Sequence, residues 1–180
     1  MEVLQAITTR RSVRKYQEKP VEREKISACL EAARLAPSAC NSQPWEFIVI
    51  DDPQVKDAFC KEVFGGVYKI STWAEKAPVL IAAVSDKGSF ISRIGNFVRR
   101  TEFYLVDHGI ACEHLVLRAW DLGLGSCWIG WFNAEKAAQF FKLPKNKKME
   151  HLIALGYPAE TPDQRPRQML ESIVHYNTYK

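Results

Sequence analysis

The chain has 180 residues, 47% of them hydrophobic and 26% charged, which is enough apolar material for one domain with a substantial core, and no shift in composition divides it. Its net charge of +4 is spread along the length, so the densest basic run, Lys145-Asn146-Lys147-Lys148, reads as a solvated loop rather than a nucleic-acid patch. Five cysteines without paired spacing and an opening Met1-Glu2-Val3-Leu4 that is no secretory signal lead us to expect reduced thiols, a cytoplasmic location, and neither membrane nor nucleic acid as a partner.

The first element is a short helix over Glu2 to Thr8, which runs straight into Arg10-Arg11-Ser12-Val13-Arg14. Basic residues after a helix can simply complement its dipole in water. Three guanidiniums and a hydroxyl within five residues can equally form a planar, multi-donor grip for a phosphate, and the residues alone do not choose. Glu22 to Ala36 places Ile26, Cys29, Leu30 and Ala33 at helical spacing, and Pro37 stops that helix. The loop Pro37-Ser38-Ala39-Cys40-Asn41-Ser42-Gln43-Pro44 holds small and amide residues that make turns and that also meet ligands. Trp45 to Ile50 follows as a strand. Asp52-Pro53 then caps and opens a helix that continues through Val63.

Val67 to Ala77 is ambiguous by pattern, with Thr72-Trp73-Ala74-Glu75 resembling a capping box. Val79 to Ser85 is an apolar run of the length of a buried strand. Asp86 to Arg100, with its glycines, phenylalanines and arginines, reads either as a flap over a pocket or as an ordinary surface loop.

Thr101 to about Leu122 is a long helix apolar over most of its circumference, which predicts a central, buried position. Gly109 and Ala111 on it would admit another backbone, such as that of a second copy. Gly123-Leu124-Gly125 makes the turn into a strand, Ser126 to Trp131, whose edge, with its two tryptophans, suits a flat ligand. His108, Cys112 and His114 suggest a metal, but no further Cys or His pair completes a site. They are read as structural, and no metal is assigned. Cys40 and Cys127 are read as small packing residues. Asn133 caps a helix over Ala134 to Phe141, and His151 to Tyr157 is a fourth strand. The tail from Pro158 contains Arg165-Pro166-Arg167 and an extended-looking Ile173-Val174-His175-Tyr176. It must fold back on its own domain or wrap a partner.

Four stretches are familiar in this order: Arg10-Arg11-Ser12-Val13-Arg14-Lys15-Tyr16, Ala36-Pro37-Ser38-Ala39-Cys40-Asn41-Ser42-Gln43-Pro44-Trp45, Gly123-Leu124-Gly125-Ser126-Cys127-Trp128-Ile129-Gly130 and Arg165-Pro166-Arg167. Together they resemble the nitroreductase family of FMN-dependent oxidoreductases, over nearly the whole chain. The resemblance implies an α+β fold over residues 1–180, with a central antiparallel sheet of four strands surrounded by helices. It further implies a homodimer with FMN at the subunit interface, in which residues 158–180 wrap the partner and add a strand to its sheet. By the same carry-over Arg10, Ser12 and Arg167 hold the FMN phosphate and ribityl chain, with Arg11 and Arg165 beside them, and Arg14 lies near the flavin pyrimidine. Pro37, Ser38, Ala39 and Asn41 come from the other subunit, and Trp128, Ile129 and Gly130 line the ring.

The implied activity is electron transfer from NADH or NADPH to a small electron-poor acceptor, a nitroaromatic, quinone or enone, by a ping-pong mechanism. The alternatives are an FMN-binding storage or sensing protein, or a flavoenzyme for dehalogenation or ring oxidation. No side chain is named as a catalytic acid or base, because the hydride chemistry belongs to the flavin. Segment 64–76 offers no match for the polar residue that often contacts the flavin in this family, and the chain is compact, without the family's longer helical insertions.

Overall fold

A computed structural model describes residues 1–86 and 102–179 of the chain. Four strands form one fully antiparallel sheet in the order β1-β2-β4-β3, comprising β1 (Trp45–Ile50), β2 (Val79–Asp86), β3 (Gly125–Ile129) and β4 (Lys147–Gly156). Strand residues alternate between two faces, and each face is covered by helices. On one side Val79, Ile81, Ala83, Ile153 and Leu155 meet the long helix α4 (Phe103–Asp121) and α2 (Arg23–Arg34). On the other, Leu80, Ala82, Val84, Leu152 and Ala154 meet α3 (Pro53–Val63), α5 (Ala134–Phe140) and a 3-10 segment, Gly66–Lys76. Burial on both faces explains why β2 is an unbroken apolar run.

The short helix α1 (Val3–Thr9) lies outside this sandwich, against α4. Thr9 accepts a hydrogen bond from the Trp120 indole (2.8 Å), and the N-terminal ammonium pairs with Asp121 (2.6 Å).

The buried stripe of α4 is Tyr104, Asp107, His108, Ala111, Cys112, Leu115, Val116 and Ala119, a regular three-and-four spacing. The helix is buried along this stripe only, although its sequence is apolar over most of its circumference: Val106 is 54% exposed on the opposite face. Gly109 opens onto free space, whereas Ala111 is spent inside the core. At the C-terminus Gly123 takes φ +77°, and the Leu124 N–H returns to the Ala119 carbonyl (2.9 Å), a left-handed cap that glycine adopts without a Cβ penalty.

Other boundaries moved little, with informative exceptions. The capping box at Thr72 does not form: its hydroxyl donates backward to the Lys69 carbonyl (2.9 Å) inside the continuous 3-10 segment. The fourth strand begins at Lys147, earlier than the apolar pattern suggested, because its first residues pair with the end of β2. There Met149 pairs with Val84 and His151 with Ala83, so Glu150 is the extra residue of a bulge. The bulge lets Met149 and Leu152 share the α3 face while His151 falls in line with Ile153 and Leu155 toward α4. Ile173–Tyr176 forms no strand within the chain. The proposed flap lies outside the described residues apart from Asp86.

The Asp52 carboxylate accepts the Val55 N–H (2.9 Å) at the start of α3. Asp52→Ala is therefore expected to cost about 1 kcal/mol and to lower Tm by about 2–4 °C for a domain of this size, read by thermal denaturation.

Candidate functional site

The two chain ends are sewn together residue by residue. Beyond α1, Val13 donates its N–H to the Ser126 carbonyl (3.0 Å) at the free edge of β3, in a parallel bridge between Ser12 and Ser126. The segment then runs antiparallel to the start of the tail: Gln17 N–H bonds the Tyr157 carbonyl (2.9 Å) and Ala159 N–H the Lys15 carbonyl (2.9 Å). The Glu160 carboxylate accepts the backbone N–H groups of Arg14 (2.7 Å) and Lys15 (3.1 Å).

This pairing carries Arg165 and Arg167 back toward Arg10, Arg11, Ser12 and Arg14. All six line one cleft of about 470 Å³ with Pro162 and Asp163. Among the described lining residues five guanidiniums face one carboxylate, that of Asp163, which makes the concavity positive, and forked N–H donors on several sides suit the oxygens of a phosphate. The donor set therefore fits the phosphate end of FMN.

Within the cleft the arginines differ in setting. The Arg10 Nε is 3.5 Å from the Glu113 carboxylate of α4, a pairing that sequence spacing did not suggest. Burial pushes the Glu113 carboxyl above its ordinary range, and the Arg10 charge, followed by the Trp128 N–H, draws it part of the way back. Arg11 donates to the Thr8 carbonyl (2.9 Å) and to its neighbour's (2.8 Å) at the end of α1. The Arg14 guanidinium sits 5.6 Å over the Trp73 ring, another partner the sequence did not reveal. Arg167 donates to the carbonyls of Arg165 (3.2 Å) and Pro166 (3.3 Å) in a tight local loop.

Gly125 has a second task beyond the turn read in the sequence. A Cβ there would stand 2.7 Å from Val13 Cγ2, so this glycine admits the arginine segment. The remaining predicted residues lie away from the cleft lining. Ile129 is buried in the core, and Trp128 stacks on His151 at 4.5 Å between ring centroids. Gly130 is exposed, with nothing within 4 Å of a hypothetical Cβ. Trp131 bonds the Val67 carbonyl (2.9 Å) and packs on Tyr68, so both tryptophans are engaged in packing.

Pro37, Ser38, Ala39 and Asn41 form a separate loop in which Cys40 and Asn41 take left-handed φ values of 53° and 51°. The loop is tethered to α4 by the Ala39 N–H on the Asp107 carboxylate (3.0 Å). A single chain therefore does not bring this loop to the arginine cleft.

A three-layer α+β sheet protein with an arginine-lined cleft at its joined chain ends is thus the class that fold and site define. The chain matches the Nitroreductase family over residues 7–157. It is 30% identical to the FMN reductase (NAD(P)H) of Bacillus subtilis, with 99% of this chain and 74% of that protein covered. It is 29% identical to an NADH dehydrogenase of Thermus thermophilus, covering 94% of this chain and 93% of that one. Among solved structures, an FMN-dependent nitroreductase from Clostridium difficile superposes with a TM-score of 0.78 at 28% identity, covering 98% of this chain and 99% of that one. The chain belongs to the nitroreductase family.

Proposed function

We propose that the chain is an FMN-dependent oxidoreductase that passes electrons from NADH or NADPH to a small electron-poor acceptor, a nitroaromatic, quinone or enone, with donor and acceptor occupying one cleft in turn. The observation that carries this reading is the convergence of Arg10, Arg11, Ser12, Arg14, Arg165 and Arg167 on a single cleft, in a chain whose relatives include an FMN reductase. Arg10, Ser12 and Arg167 hold the phosphate and ribityl chain, with Arg11 and Arg165 beside them. Arg14, which lines the same cleft, offers a cation to the pyrimidine edge, where it favours added negative charge. Trp128, Ile129 and Gly130 lie along the ring, and the exposed backbone at Gly130 is the part of that strand end open to it. FMN, when bound, supplies the hydride chemistry, and the protein orients reactants over one face.

The assembly we propose is a homodimer. Val3 and Leu4 are each 71% exposed, and an apolar groove of about 420 Å³ runs between α1, α2 and α4, a surface unsuited to water. The tail leaves Met169, Leu170 and Ile173 uncovered as well. Residues 158–180 wrap the second subunit, and Pro37, Ser38, Ala39 and Asn41 reach the partner's flavin. Among the described residues no helix is long and apolar enough to cross a membrane, and the five cysteines are free thiols, as suits a reducing, cytoplasmic setting.

The test is the visible spectrum of the purified protein. A flavin band that bleaches on anaerobic addition of NADH or NADPH and returns when a quinone is added is expected. A colourless protein that takes up no FMN would end the proposal, and a flavin band unchanged by either nucleotide would leave FMN storage or sensing, or a flavoenzyme for dehalogenation or ring oxidation.

A further inference from the structure

The sequence joined His108 and Cys112 to His114 as a weak metal pattern, and the fold replaces the third member. His114 turns toward the groove lined by Met1, Val3 and Leu117. In its place β4 delivers His151, which the bulge at Glu150 puts on the α4 face of the sheet. One ligand-type atom from each of His108, Cys112 and His151 lies within 4.8 Å of the other two, and His151 Nε2 is 3.1 Å from the Cys112 sulfur. Donor atoms around a tetrahedral zinc ion stand about 3.5 Å apart, so the three atoms lie within about 1 Å of the spacing that a shared ion requires.

A second observation points to a ligand at this cluster. His108 is 1% exposed, and among the described residues neither of its ring nitrogens has a hydrogen-bond partner. Two buried, unsatisfied nitrogens are costly, and a metal bond satisfies one of them. The surroundings also favour a cation. Asp107 precedes His108 in α4 and Glu150 precedes His151 in β4, so each imidazole has a carboxylate-bearing neighbour in the chain. Trp128 covers the His151 ring at 4.5 Å, and the partial exposure of His151 leaves an approach from outside.

We propose that His108, Cys112 and His151 form a binding site for a thiophilic divalent cation of the zinc type, one per chain, tying the long helix to β4, an inner strand of the sheet. The ion takes two imidazole nitrogens and the thiolate. The thiol proton is released to solvent on binding, and a water completes four-coordination.

The test uses cobalt(II) added to the purified flavoprotein, because tetrahedral cobalt absorbs in the red, beyond the flavin bands. One equivalent per chain is expected to produce that absorption with a thiolate-to-metal band, to be displaced by zinc, and to fall about tenfold or more in Cys112→Ser. Cys112→Ser changes one buried atom, and its circular dichroism and flavin band check that it is folded. His151→Asn supplies a second variant with the same expected loss. No red absorption in the wild type, or an absorption of equal strength in both folded variants, would overturn the proposal and leave the three residues as a packed cluster with a single His151–Cys112 contact.

Discussion

Replacing Arg10 and Arg167 together by alanine is expected to raise the dissociation constant for FMN by about 10²- to 10⁴-fold, since hydrogen bonds from charged donors contribute about 1.5–3 kcal/mol each. The two residues come from opposite ends of the chain and meet in one cleft, so neither is a spare copy of the other. Flavin retained through gel filtration and a fluorescence titration with added FMN both read the effect. Arg10 also stands beside the half-buried Glu113, so its loss leaves a carboxylate without its nearest cation. Arg10→Lys separates the contributions: it keeps a charge for Glu113 but removes the fork that a phosphate engages. If the double alanine variant holds FMN as tightly as the wild type, the phosphate assignment is wrong.

The second large effect is expected at Gly125. An alanine Cβ would lie 2.7 Å from Val13 Cγ2 and 2.8 Å from its Cβ, and Val13 is fully buried. These atoms sit close to backbone, so relief requires moving the segment that bears Arg10 through Arg14. Overpacking of this kind costs about 1–3 kcal/mol, or roughly 2–12 °C in Tm at this chain length. Flavin affinity is expected to fall with it, because the arginines move with Val13. The pairing is specific: Val13→Ala added to Gly125→Ala should restore part of the loss, a coupling that a double-mutant cycle measures. Equal destabilisation in the presence and absence of the Val13 change would show that the close approach is not the cause.

The nearness of Val13 also marks where sequence reading stopped. Gly123 was legible as a helix cap because the left-handed conformation is a local demand, readable from a glycine after an apolar-periodic run. Gly125, two residues on, obeys a non-local demand. Its constraint comes from a segment more than a hundred positions earlier in the chain, and no periodicity reports that.

The four strands, the long helix and the arginine motifs at both chain ends were each set by the order of residues alone. Alternation, helical spacing, proline stops and guanidinium clusters are local properties, and they survive whatever the chain packs against. Tertiary structure alone decided which of these pieces meet. It laid residues 14–17 along 157–160 so that the arginines share a cleft, paired Arg10 with Glu113, and turned half of the long helix outward. Through one extra residue in β4 it also exchanged His114 for His151 beside Cys112. A hydrogen-bonded register and a bulge are relations between distant strands, fixed by the packing of the whole sheet, and single-chain spacing carries no record of them.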